Sequence, residues 1–202
     1  MRSHDHGRHG NPEDLAAYVA RMEDPGRDRW QRPARVLRAL HLGRARRVCD
    51  IGAGPGYFTL RIARSLGRRG RVVAVEVEPA ILGVLRDRIA RARVHNVTPV
   101  LGLPHDPLLP GMAFDLILIV DTYHHLPAPV AYLKMLRRSL APGGRIVNID
   151  FFKRELPVGP PFDHKVSREE FLCDARQAGL RMVEEPTFLP YQYFLILEAA
   201  RR

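Results

Sequence analysis

The stretch Val48-Cys49-Asp50-Ile51-Gly52-Ala53-Gly54-Pro55-Gly56-Tyr57-Phe58 constrains this chain more than any other. It reads as a short buried strand over 47–51 that runs into a glycine-rich turn, from which a helix opens over 57–66. Glycines at every second position let the backbone bend tightly and approach a ligand that any Cβ would push away. The unpaired N–H groups of the following helix aim at the same place. A nucleotide-like cofactor is the natural occupant. Asp50, two residues before the first glycine, would repel a pyrophosphate but can accept hydrogen bonds from an ammonium group. The spacing G-x-G-x-G also departs from the dinucleotide fingerprint G-x-G-x-x-G. A second strand over 71–75 ends on Glu76, where a carboxylate suits the two hydroxyls of an unphosphorylated ribose.

Strands and helices alternate beyond this point. Strands are expected over 47–51, 71–76, 97–101, 114–120 and 145–150, with helices over 57–66, 79–93 and 129–140 between them. The run Phe114 to Val120 is continuously apolar, as a central parallel strand should be. Ser167 caps a further helix that Gly179 closes. A last strand pair, 181–185 and 191–199, reads as a hairpin whose final strand is antiparallel to the rest. Such alternation predicts an α/β fold: a doubly wound, Rossmann-like, seven-stranded sheet, mostly parallel. Two segments upstream, one from Pro12 with Leu15, Tyr18, Val19 and Met22 at helical spacing and one over 33–42, predict N-terminal cap helices. The expected organisation is a disordered His-containing tail over 1–11, cap helices over 12–43 and a cofactor-binding domain over 44–202. His4, His6 and His9 in the tail are no more than a weak metal-binding pattern, and no metal site is expected elsewhere.

The formal charge of +10 raises the question of nucleic acid. Nearly all the cations are arginines, many at exposed-looking helix positions such as Arg61, Arg64, Arg86 and Arg91, which reads as a solvated surface. No zinc-ligand spacing or RNA-binding signature accompanies them. Cys49 and Cys173 lie in apolar surroundings and read as buried free thiols. Without an apolar N-terminal region or a membrane-length apolar run, a cytoplasmic location is expected.

VCDIGAGPGYFTL, VVAVEVEP, FDLILIVDTYHHL and LAPGGRIVNIDF together resemble the class I S-adenosylmethionine (SAM)-dependent methyltransferases over roughly 30–200. The DTYHHL segment and the Pro142-Gly143-Gly144 turn look most like the small-molecule branch that includes ubiquinone/menaquinone-type C-methyltransferases. The resemblance implies SAM as cofactor and S-adenosylhomocysteine as product. It places Asp50 and Gly52 at the methionine end, Glu76 on the ribose and Val77 against the adenine. Ala53, Gly54, Gly56, Tyr57 and Asp121 complete the implied cofactor set. Many relatives carry an acidic residue directly after the strand-three glycine. Here Leu103 follows Gly102, and Asp106 is the nearest carboxylate for that role.

Methyl transfer is an in-line displacement that needs alignment more than covalent help, with a base useful for a hydroxyl or acidic carbon. Asp121, His124 and His125 follow strand four, where acceptor and methyl must meet, and either histidine is a candidate base. Trp30, Tyr123, Phe152, His164 and Lys165 are candidate substrate contacts. For Trp30 core packing is the competing reading, and for the loop carrying His164 and Lys165 a rigid surface connection. The expected function is methyl transfer to a small-molecule oxygen or carbon acceptor. An RNA or protein methyltransferase using the basic surface, and a non-catalytic SAM-binding module, are the alternatives. Expected partners are a small molecule, with nucleic acid and a homodimer left open.

Overall fold

The structure, a computed structural model, describes residues 14–200. The His-containing tail and the expected helix start at Pro12 lie outside the described residues. Seven strands form one sheet: β1 (Arg47–Ile51), β2 (Arg71–Glu76), β3 (Val97–Leu101), β4 (Phe114–Val120), β5 (Leu140–Phe151), β6 (Leu180–Glu184) and β7 (Gln192–Ala199). Their order is β3-β2-β1-β4-β5-β7-β6. The first five are parallel neighbours, and β7 runs antiparallel to both β5 and β6. The chain winds outward through β2 and β3, then returns to place β4 on the other side of β1. That reversal opens a crevice at the carboxyl ends of β1 and β4.

Burial explains the strand order. β7 is apolar along most of its length and fully buried from Gln192 to Leu197, so it needs neighbours at both edges. β6 exposes four of its five residues and takes the edge. The last hairpin therefore forms with its second strand innermost.

Helices α1 (Leu15–Met22), α2 (Arg27–Gln31), α3 (Pro33–Ala39), α4 (Tyr57–Leu66), α5 (Pro79–Arg91), α6 (Pro129–Arg138) and α7 (Arg168–Gln177) cover the sheet. One core packs Ile117, Ile119, Ile146 and Leu195 against Leu133, Leu136 and Phe171 of α6 and α7. The other packs Leu116, Leu118, Val147 and Phe194 against Val36, Phe58 and Ile62 of α3 and α4. Ser167 and Glu170 form a reciprocal capping box on α7, an arrangement worth about 1 kcal/mol.

The structure departs from expectation at a few places. β5 starts at Leu140, before the glycine pair, because its pairing with β4 slips between Phe114↔Leu140 and Leu116↔Arg145. A Cβ at Gly144 would stand 2.6 Å from the Phe114 carbonyl oxygen, so only glycine lets the two backbones meet there. The five-residue α2 is additional. Cys49 is buried, but Cys173 is exposed on α7, the outer side of that helix being polar. No helix among the described residues is long and apolar enough to cross a membrane.

Candidate functional site

A cavity of about 350 Å³ opens where β1, β2 and β4 end. Its floor is the glycine turn. Gly52, Gly54 and Gly56 all have positive φ. A Cβ on Gly52 would lie 2.2 Å from Thr122 Oγ1, and one on Gly56 2.6 Å from Leu85 Cδ1. These two glycines serve the close packing of the turn on its neighbours. Gly54 differs, since a Cβ there would meet nothing within 4 Å and would fill space on the cavity wall.

Two carboxylates support the turn. Glu76 closes β2 and accepts from Gly54 N at 2.9 Å through Oε2, and from Val77 N at 2.8 Å and Glu78 N at 3.1 Å through Oε1. Burial raises its pKa in spite of these three donors. Asp50, buried at the end of β1, accepts from Thr59 Oγ1 at 2.6 Å. Burial pushes its carboxyl up to about 6, with the Thr59 bond working the other way. Buried carboxylates at the cavity floor suit a cationic ligand group.

The third wall follows β4. Asp121 takes a left-handed backbone (φ 54), a conformation costing about 1–2 kcal/mol for a non-glycine residue. Its Oδ1 is shielded from solvent and has no hydrogen-bond partner among the described residues. Burial and the nearby Asp150 charge push its pKa up to about 6. His124 turns its imidazole away from the cavity, with Nδ1 3.2 Å from Asp150 Oδ2, and both side chains are nearly inaccessible. Desolvation opposes protonation of His124, but the Asp150 carboxylate outweighs it and the pKa is raised. Asp121, His124 and Asp150 place donor atoms within 4.8 Å of one another, close enough to share a proton or a cation. His125, in contrast, is exposed and lines the cavity with Thr122 and Leu126.

The N-terminal helices supply the lid: Tyr18, Arg21 and Met22 come from α1 and Arg27 from α2. Burial, together with the Glu76 and Asp121 carboxylates, pushes the Tyr18 phenol up to about 12, so α1 lies over both acidic residues.

Of the expected site residues, Asp50, Gly52, Ala53, Gly54, Tyr57, Glu76, Val77, Asp121 and His125 line this one cavity. Gly56 lies behind it as the N-cap of α4. Asp106 does not reach it: its Oδ1 accepts from Leu108 N at 2.8 Å inside its own loop, and Leu103 and Pro104 form the wall instead. The five expected substrate contacts all lie elsewhere. Trp30 packs on Phe151 at 5.5 Å between ring centroids. Tyr123 is buried and donates to Asp174 Oδ2 at 2.8 Å. Phe152 stacks near Tyr193, 6.1 Å away. His164 is exposed, and Lys165 is buried with Nζ donating to the Arg154 carbonyl at 2.7 Å. Sequence reasoning missed Tyr18, Arg27 and Tyr132 as lining residues. Only Tyr18 carried a signal, its place in the α1 stripe.

Residues 49–146 match a family model described as a methyltransferase domain. A demethylmenaquinone methyltransferase of Listeria monocytogenes is 23% identical over 129 residues, covering 64% of this chain and 54% of its own. The ubiquinone/menaquinone biosynthesis C-methyltransferase UbiE of Vibrio vulnificus is 31% identical over 116 residues, 57% of this chain and 44% of its own. The chain thus spans about half the length of these curated relatives. A solved SAM-dependent methyltransferase from Aquifex aeolicus superposes with a TM-score of 0.84 at 24% identity, covering 90% of this chain and 96% of that one.

Proposed function

Belonging as it does to the class I SAM-dependent methyltransferases, this chain is, we propose, an enzyme that moves a methyl group from SAM to a small-molecule oxygen or carbon acceptor. The observation that carries this reading is the convergence of Asp50, Gly54, Glu76 and Asp121 on one cavity. The residues present fit the cofactor. The place a Cβ would fill at Gly54 is open, Glu76 holds a row of backbone donors, and the buried Asp121 Oδ1 lacks a donor. Asp50 and Asp121 would hold the ammonium end, Glu76 the ribose hydroxyls, and Val77 with Leu103 the adenine faces. When bound, SAM supplies an electrophilic methyl on a sulfonium.

The chain's own residues do the rest. Tyr18, Met22 and Tyr57 exclude water from the cavity and align what enters it. His125 lines the cavity and is the residue we assign to accept the acceptor's proton. His124 is buried against Asp150 and fixes the segment that presents its neighbour.

One cluster of exposed arginines lies away from the cavity. Arg46, Arg47 and Arg71 are exposed at the amino ends of β1 and β2, the opposite end of the strands from the cavity. A polyanion bound to them would lie about 17–20 Å from the reacting groups, the length of such strands. Incubation with methyl-labelled SAM and separate panels of phenols, hydroquinones, bulk RNA and protein tests the assignment. Label in a small-molecule pool supports it; label confined to RNA or protein overturns it.

A further inference from the structure

The amino ends of β1, β2 and β3, at the far end of the sheet from the cavity, gather arginine with little acid. Arg47 and Arg71 are register partners on neighbouring parallel strands, and the Arg71 amide donates to the Arg46 carbonyl at 2.7 Å. The turn Gly67–Arg69 sets Arg68 and Arg69 directly before β2. Helices α4 and α5 pack on the face of β2 that carries Val72 and Ala74, so their last turns bring Arg64 and Arg91 to the same end. Arg93 and His95 follow in the connection to β3. All of these residues are exposed.

The arrangement is built rather than loose. Asn96 Nδ2 donates to the carbonyls of Ala63, Gly67 and Gly70 at 2.9, 2.9 and 3.1 Å, which pins the arginine-bearing turn to the end of α4. Arg93 takes a left-handed backbone (φ 52) just beyond α5, where glycine would sit without strain. None of these arginines enters an ion pair among the described residues. Segments 44–47, 62–71, 86–96 and 114–115 contribute two carboxylates, Asp87 and Asp115. Asp115 Oδ2 accepts from the amides of Arg46 and Arg47 at 2.7 and 2.8 Å. Helix dipoles account for cations at Arg64 and Arg91. They do not account for Arg46, Arg47, Arg68, Arg69 and Arg71, which stand at strand ends and in a turn.

We propose that this end of the sheet docks the sugar–phosphate backbone of duplex nucleic acid, whatever its sequence. The guanidinium fork matches phosphate oxygens, and a cluster of like charges is relieved by a polyanion. The same segments hold no tryptophan or tyrosine, and their one phenylalanine, Phe114, is buried, so a single strand finds no aromatic platform on which to stack its bases. None of the exposed large apolar side chains among the described residues falls in these segments, so a bilayer finds no apolar anchor. A docked duplex leaves the cavity open, because the two lie at opposite ends of the strands. This inference goes beyond methyl transfer and stands apart from the cofactor reading.

Fluorescence anisotropy of a labelled DNA duplex of about 20 base pairs, titrated with the full chain between about 50 and 200 mM salt, tests it. The wild type should bind with a micromolar dissociation constant near 0.1 M salt, its log K falling with log salt by about 0.9 per phosphate contacted. Arg47→Gln/Arg69→Gln/Arg71→Gln should weaken binding by about tenfold or more and reduce that slope by about 3, and Arg69→Gln alone should reduce it by about 1. Arg29→Gln/Lys153→Gln/Arg154→Gln removes the same charge from the cavity end and should stay within about twofold of wild type. No binding by the wild type, or equal loss in the two triple variants, overturns the proposal. Binding to phosphatidylglycerol vesicles in place of the duplex also overturns it.

Discussion

Glu76 Oε2 lies 2.9 Å from the amide nitrogen of Gly54, so the last residue of β2 holds the middle of the glycine turn that follows β1. The same carboxylate accepts from Val77 and Glu78. One side chain thus shapes the turn and stands where a ribose would lie. Glu76→Ala strands three donors in a buried place and should cost about 1–3 kcal/mol of stability as well as SAM binding. Urea denaturation and calorimetric titration read the two effects. A variant of unchanged stability would show that the turn holds itself.

The glycines of the turn should separate by phenotype. Gly52→Ala drives a Cβ into Thr122 at a positive φ and should lower the melting temperature by several degrees. Gly54→Val also bears a positive φ, but its side chain enters open space. Its unfolding should stay cooperative while SAM binding is lost. Normal binding by Gly54→Val would misplace the cofactor.

Asp50 makes binding depend on pH. Its carboxyl sits at about 6 in the free protein, above the ordinary value of about 3.9. The folded state therefore holds this proton more tightly than the unfolded chain, and the Asp50 contribution to stability falls as pH rises from about 4 to about 6. A cationic ligand reverses the preference, because it needs the ionised form. SAM affinity should drop as pH falls through about 6, by up to about tenfold per unit for each carboxyl, Asp50 or Asp121, that must ionise. Titrations in buffers of different ionisation enthalpy should detect proton release at pH 6 and none at pH 8. Affinity constant from pH 5 to 8 contradicts the role of Asp50.

The two adjacent histidines should behave differently. His125→Ala should spare SAM affinity and lower turnover by about 10²–10⁴-fold, the usual worth of a positioned base. His124→Ala leaves Asp150 buried without its cation and should chiefly destabilise the protein. A His125 variant with full turnover removes that residue from the reaction.

Much of the sheet can be read from residue order. β1, β2, β3, β4 and α4 occupy the spans their patterns predict, because each apolar run ends on glycine, proline or charge. The cavity floor is legible for the same reason, as Asp50, Gly54 and Glu76 sit at fixed offsets from strand ends. The lid is not. α2 has five residues, too few for a helical period to register. Arg27 reaches the cavity because it stacks on Tyr57, thirty positions away, a contact no local pattern encodes. Lys165 looks like a solvent-facing cation in sequence, yet the Arg154 carbonyl and the surrounding loop bury it. The histidine pair needed coordinates too, since the buried Asp150 on β5 decides which imidazole turns inward.

Isothermal titration of the purified protein with SAM, S-adenosylhomocysteine and NAD tests the central claim most directly. Micromolar binding of the first two and none of NAD is the predicted result. Binding of NAD alone would contradict the roles given to Asp50 and Glu76, and with them the proposed methyl transfer.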